Sequence, residues 1–256
     1  MREIIPRPRR GFSVSIGAVP DASSRPPEIW DHAGGSVPLR IRAHPRARRI
    51  SLRIDASGDA VEIVLPRRGS KAEALRFLEA SRGWVEARLA ALPPRIPFAD
   101  GAVVPVMDVP HPIRHVGQGR GKGPAWIEDG ALCVAGDAAF LARRVRDFLK
   151  SLAKRELSAR VTALAPQVDR PVKHVGVRDT VSRWGSCARG GNLSFSWRLI
   201  FAPEAVIDYV VAHEVAHLVE MNHGPRFWRL VERLHPDAKT QRLWLNRHRT
   251  RLMRIG

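Results

Sequence analysis

Alternating apolar and polar positions predict β-strands in the first half of the chain. VPLRIRA (37–43), RRISLRI (48–54) and AVEIVLP (60–66) each place an apolar side chain at every second position, as half-buried strands do. DASGD (55–59) has turn composition, so we expect these strands to form an antiparallel meander. Further short strands are predicted at 103–107, 112–116, 125–127 and 131–134.

Helical spacing of apolar residues dominates elsewhere. Ser70 and Glu73 form a capping box that should open one helix reaching Leu92. The longest predicted helix covers 138–165, with a stripe of apolar residues along one face. A strand is expected at 172–179, a hairpin around Gly190-Gly191, and helices over 202–221, 225–234 and 238–254.

This order of elements predicts an α+β fold in three parts. Residues 1–36 are rich in Pro, Ser, Gly and Arg without periodicity, so we expect a disordered basic extension. Residues 37–136 should form a β-rich region with one helix, and residues 138–256 a second domain.

The strongest chemical signal lies in the helix predicted to end near Met221. His213, Glu214 and His217 form an H-E-x-x-H sequence. Positions four apart share a helix face, so the two imidazoles can point at one metal ion. Glu214 lies about 100° round the helix, close to the metal without binding it, which suits a general base.

A catalytic zinc usually has three protein ligands and a water. We favour His223, which follows the expected helix end at Asn222 and precedes a Gly224-Pro225 turn. Glu220 on the same helix and Glu232 on the next one are the alternatives.

Several stretches carry a resemblance to a known family. ARRISLRI (47–54), SRWGSCARGGNLSFSWRLIFAP (182–203), DYVVAHEVAHLVEMNHGPRFW (208–228) and WL (244–245) resemble the YgjP-like metallopeptidases. The His223-Gly-Pro-x-Phe227 piece is also similar to SprT-like zinc proteases. The resemblance implies a zincin catalytic domain with one Zn²⁺ per chain on His213, His217 and His223, and Glu214 as base.

The resemblance also suggests residues that contact substrate. It implies that the strand carrying Ser194 and Ser196 borders the cleft and pairs with an extended peptide. Arg183, in the family's Arg-Trp-Gly-Ser-Cys run, would hold a substrate carboxylate or phosphate or stabilise a developing oxyanion, or else form a structural salt bridge. We expect Cys187 to be an inert, buried thiol.

Composition and charge widen the choice of partners. The net charge is +18, which favours polyanions such as nucleic acid, although a GC-rich genome also produces arginine-rich sequence. Only two cysteines occur, and neither a signal peptide nor a membrane span is evident, so a cytoplasmic protein without membrane contact is expected.

The function expected from these features is zinc-dependent hydrolysis of peptides or proteins. Two alternatives remain open at the level of sequence. One is hydrolysis of a phosphoanhydride such as a nucleotide, and the other is a nucleic-acid-binding protein whose zinc is structural.

Overall fold

A computed structural model describes residues 28–55, 57–118 and 123–256. This part of the chain contains six α-helices and eleven strands in three small sheets, so the α+β class is confirmed. Most of the predicted basic extension, residues 1–27, lies outside the described residues, as do residue 56 and residues 119–122. No helix in the described ranges combines the length and apolar character needed to cross a membrane.

The first sheet differs from the predicted meander. It contains β1 (Glu28–His32), β2 (Gly35–Ala43), β3 (Ser51–Ile54) and β4 (Val61–Leu65) in the order β1-β2-β4-β3. Strand β1 was not predicted, because its surroundings have the composition of a linker. It forms a hairpin with one edge of β2, and β4 pairs with the other edge in parallel. Strand β3 therefore pairs only with β4.

The helix predicted from Ser70 to Leu92 is two helices. Helix α1 (Lys71–Ala80) begins with the predicted capping box, in which the Ser70 hydroxyl accepts from the Glu73 N–H and the Glu73 carboxylate accepts from the Ser70 N–H. Helix α2 (Arg82–Ala90) follows after a break at Ser81. Both pack against the first sheet through buried side chains, which include Leu78 and Val85.

The second sheet and the longest helix agree with the prediction. Strands β5 (Val103–Val106), β6 (Val109–His115), β7 (Ala125–Glu128) and β8 (Ala131–Val134) form a sheet in the order β5-β6-β8-β7. Helix α3 (Leu141–Leu164) buries its predicted apolar stripe.

The remaining elements carry the candidate site. Strands β9 (His174–Arg178), β10 (Gly185–Ala188) and β11 (Asn192–Ser196) form a sheet in the order β10-β11-β9, with the predicted hairpin between β10 and β11. Three helices follow: α4 (Glu204–Ala216), α5 (Pro225–Leu234) and α6 (Ala238–Met253).

Two hydrophobic cores divide the described chain. The smaller core comprises the first sheet with α1 and α2, from Trp30 to Val85. The larger core begins at Phe98 and joins the second sheet to α3, α4, α5 and α6. The second sheet thus shares a core with the H-E-x-x-H helix, so the cores separate before Phe98 rather than at the predicted boundary near residue 137.

Candidate metal centre

Helix α4 brings the H-E-x-x-H residues to one end of the larger core. It is apolar on nearly all sides, and its buried residues include Val206, Val210 and Val215. The helix ends at Ala216, several residues before the predicted end, but His217 keeps helical backbone angles. His213 and His217 therefore stay on the same helix face, with their ring centroids 5.0 Å apart.

The three predicted histidines converge. Nε2 of His223 lies 3.1 Å from Nε2 of His217 and 3.1 Å from Nε2 of His213. Three nitrogens at about 2.0–2.1 Å from one tetrahedral zinc would lie about 3.3 Å apart. The spacing in the protein therefore fits three imidazoles turned toward one ion of this size.

The protonation states of two histidine rings also suit metal binding. Nδ1 of His217 lies 3.0 Å from the carbonyl oxygen of Glu220, which can only accept, so Nδ1 carries the proton and Nε2 presents its lone pair. Burial, with the positive character of His217, His223 and Arg242, lowers the pKa of His213 to about 3. His213 is thus neutral at pH 7, the form that binds metal.

An aromatic side chain from α5 supports the three imidazoles. Phe227 is fully buried, and its ring centroid lies 4.4 Å from that of His217, 4.9 Å from His213 and 4.7 Å from His223. Gly224 and Pro225 begin α5 immediately after His223, so the same turn fixes the third histidine and places Phe227 behind the rings. This packing restricts ring rotation and holds the nitrogens together.

Glu214 lies beside the histidines in a desolvated position. Its side chain is 4% exposed, and its Oε2 atom is buried without a hydrogen-bond partner. Burial raises the pKa of Glu214 to about 8, although the positive charge of Arg183 opposes the increase. A Cβ atom added to Gly185 would lie 2.6 Å from both Cγ and Cδ of Glu214, so the carboxylate side chain fills the space above this glycine.

A cleft of about 240 Å³ opens over these residues. One wall consists of Ser182–Cys187, from β10 and the segment before it. The opposite wall comes from α6, and the remaining lining residues come from α4 and from the segment that follows it as far as His223.

Arg183 and Cys187 both line this cleft. Arg183 is exposed and forms no ion pair with any described residue, so its predicted structural salt bridge is not observed. Burial, with the nearby charge of Glu214, raises the pKa of Cys187 to about 11, so this thiol remains protonated at neutral pH.

Ser194 and Ser196 are not brought to the cleft. Their strand, β11, lies in the middle of its sheet, where β10 covers one edge and β9 the other. Ser196 is fully buried and donates to the carbonyl of Thr180, and neither serine is among the residues that line the cleft. Strand β10 is an edge strand of this sheet and lines the cleft, whereas β11 does neither.

The alternative third ligands lie elsewhere. Glu232 is exposed on α5, and Glu220 contributes its main-chain carbonyl to His217 rather than its carboxylate to a metal. Among the described residues, the group that could share one metal ion contains only His213, His217 and His223. A structural zinc would need a fourth protein ligand, whereas three ligands are typical of a catalytic site.

Two features of the cleft were missed from sequence. Tyr209 precedes His213 by one helical turn and lines the cleft, and burial raises the pKa of Tyr209 to about 12, so its hydroxyl stays a donor. Arg242, Leu245, Asn246 and Arg249 form one face of α6. Their spacing of three, four and seven residues was a visible signal, but from sequence only a helix was predicted here, with no role assigned to it.

Comparisons with known proteins found one family model and one solved structure that match the chain. The family model described as "YgjP-like, metallopeptidase domain" matches residues 48–248. A search of curated proteins found no match. Among solved structures, the chain is similar to the crystal structure of the metallopeptidase zymogen of Pyrococcus abyssi abylysin, with 25% identity over 40% of this chain and 92% of that chain and a TM-score of 0.29.

Proposed function

The chain belongs to the YgjP-like metallopeptidase family, and from this premise we propose that it is a zincin-like peptidase with one Zn²⁺ held by His213, His217 and His223. The observation that carries the proposal is the convergence of three Nε2 atoms beside a buried carboxylate. The family match favours a peptide over the phosphoanhydride considered from sequence, and no comparison supports nucleic-acid binding.

The donor set is suited to zinc. Neutral imidazoles are preferred zinc ligands, and three protein ligands leave a coordination position for catalysis. When bound, the ion supplies Lewis acidity, which polarises a peptide carbonyl and makes a water molecule more acidic.

Glu214 acts as the general base. Its position beside the histidines lets it accept a proton from the attacking water and later donate it to the leaving amine. Burial raises the pKa of Glu214 in the metal-free site, and a cation held by the neighbouring histidines would favour the ionised carboxylate that a general base requires.

Strand β10 offers its main chain to the substrate. The Ser196 N–H donates to the Trp184 carbonyl, and Gly185 faces Phe195 in the next pair of the ladder. Along an antiparallel strand, residues whose N–H and C=O groups point toward the partner strand alternate with residues whose groups point away from it. Gly185 and Cys187 therefore direct their N–H and C=O groups away from β11. An extended peptide can pair with this edge beside Glu214.

Substitution of Glu214 tests the proposed base. Glu214→Gln should retain about one zinc per chain and lower kcat/KM on an unfolded protein substrate by about a thousandfold, because the base is lost while the histidines remain. His223→Ala should lose the zinc itself. The measurements are the zinc content of each variant, by elemental mass spectrometry, and hydrolysis with and without a chelator.

Glu232→Gln is the matched control, since it removes an exposed carboxylate outside the histidine group. It should keep both zinc and activity. Full activity in Glu214→Gln, or loss of zinc in Glu232→Gln but not in His223→Ala, would contradict the proposed assignment.

A further inference from the structure

Helix α6 presents one polar face to the cleft. Arg242, Leu245, Asn246 and Arg249 all line it, and their spacing places them on a single stripe of the helix. Arg183 lines the facing wall, on the segment that leads into β10. The cleft is therefore bordered by guanidinium groups on both sides, and Glu214 is the single carboxylate among its described lining residues.

Arg249 lacks a counter-ion within the described parts of the chain. Its Nη2 donates to the main-chain carbonyl of Val181 over 2.7 Å, whereas its Nε is buried without a hydrogen-bond partner. Burial, together with the charge of Arg53, lowers the pKa of Arg249. A partly buried cation whose charged neighbour has the same sign is costly, and a carboxylate placed against it would reduce that cost.

Arg242 is held close to the histidines by an aromatic ring. Its guanidinium carbon lies 4.7 Å from the centroid of the Trp228 ring, and that ring lies 5.8 Å from His213 and 5.9 Å from His223. This contact places the Arg242 guanidinium beside the same aromatic ring that lies against two of the proposed metal ligands. A substrate group held by Arg242 would therefore lie close to the proposed metal site.

We propose that this face of α6 is a carboxylate-binding subsite, with Arg249 as its principal residue and Arg242 and Asn246 beside it. The proposal rests on the peptidase function proposed above and specifies its substrates as peptides that carry a carboxylate near the cleavage point. A guanidinium binds a carboxylate through two parallel hydrogen bonds, which gives both selectivity and orientation. The carboxylate is either an Asp or Glu side chain or the free C-terminus of a peptide.

Matched peptides test the proposal. A set of quenched fluorescent peptides carries a single Glu at each position in turn, and a second set carries Gln there. A third set offers each peptide as free acid and as C-terminal amide. The wild-type zinc enzyme should favour the carboxylate member of a pair by about tenfold or more in kcat/KM. A preference confined to Glu over Gln identifies the side chain, and one confined to acid over amide identifies the C-terminus.

Variants on one helix locate the effect. Arg249→Gln should reduce the preference ratio to within about threefold of one, because its amide can still donate but carries no charge. Arg247→Gln is the control: Arg247 is an exposed arginine of α6 that does not line the cleft, so the ratio should persist. Equal losses in both variants would indicate a general effect of positive charge and overturn the subsite.

Binding separates failure of this proposal from failure of the peptidase function. The dissociation constants of the same peptide pairs for Glu214→Gln, measured by fluorescence anisotropy, report the carboxylate preference without turnover. Hydrolysis with no preference for either carboxylate overturns the subsite and leaves the peptidase intact. A binding preference without zinc-dependent hydrolysis by the wild type supports the subsite and contradicts the peptidase.

Discussion

The position of Glu214, the proposed base, depends on residue 185 being a glycine. Glu214 occupies the volume that a Cβ at residue 185 would need, and Cγ, which is not the free end of the side chain, is among the atoms 2.6 Å away. Gly185 cannot retreat easily, because β10 is paired with β11 along its length. Any residue other than glycine must therefore move Glu214 relative to the three histidines.

Gly185→Ala should lower kcat by about a hundredfold while zinc content stays at one per chain, because a displacement of about 1 Å in a catalytic group can cost that much. The measurements are kcat and bound zinc. Gly176→Ala is the control on β9 of the same sheet, where an added Cβ comes no closer than 3.4 Å to the His174 ring. If Gly185→Ala retained full kcat, the carboxylate would not need the position described.

Glu214 and His213 also make the stability of the metal-free protein depend on pH. Burial raises the pKa of Glu214 to about 8 from an ordinary value of 4.5, so the folded state pays for ionising it, and this cost grows as pH rises from 4.5 to 8. Burial first, and then the positive character of neighbouring groups, lowers the pKa of His213 from 6.5 to about 3. Protonating His213 in the folded state therefore costs free energy, and this cost grows as pH falls below 6.5.

Thermal unfolding of the zinc-free protein tests the first of these effects. Between pH 5 and pH 8 the Tm of the wild type should fall relative to that of zinc-free Glu214→Gln, by an amount on the order of 5 °C. The comparison between variants cancels contributions that the other titrating groups share. Parallel Tm profiles would show that Glu214 is not desolvated in the folded protein.

At the level of elements, the features set by residues adjacent in sequence were predicted, whereas several strand pairings were not. The capping box placed the start of α1, and the glycine pair placed the hairpin of β10 and β11, because both depend on residues adjacent in sequence. Strand β1 was missed because its stability comes from pairing with β2 rather than from its own composition. The parallel β2–β4 pair was missed for a related reason, since the alternation within each strand does not show that strands which are not consecutive in sequence will pair.

Prediction of the candidate site was limited in the same way, since geometry within one helix was predictable and contacts between distant elements were not. The spacing of His213 and His217 follows from one helix and was predictable. The contact of Gly185 with Glu214, and the turning of Arg249 toward the cleft, depend on packing between elements far apart in the chain. Period and propensity do not contain that information, so the sequence placed Ser194 and Ser196 at the cleft, which the structure lines with residues of β10 and α6 instead.

On the scale of the whole molecule, the end of the chain connects the two hydrophobic cores. Arg254 Nε donates to the Pro93 carbonyl over 2.6 Å, and Nη1 donates to the Ser57 carbonyl over 2.7 Å. Gly58 has φ +75° and leaves no space for a Cβ against the Arg254 guanidinium. Ile255 forms a bridge with Ile96, so the segment after α6 holds the region between the cores.

Arg254→Gln should therefore lower the free energy of unfolding by about 2 kcal/mol, because charge-assisted hydrogen bonds to two carbonyls are lost. Urea unfolding, followed by intrinsic fluorescence and by activity, is the measurement. The contacts of Arg254 join the two cores, so the variant should unfold in two separate transitions. The first-sheet core should open at the lower urea concentration, while activity persists.

Arg251→Gln is the control, because it breaks only an exposed pair with Asp108 at 3.6 Å. It should lower the free energy of unfolding by less than about 1 kcal/mol and leave a single transition. Equal midpoints for the two variants would mean that the cores are held together by their remaining contacts and not by Arg254.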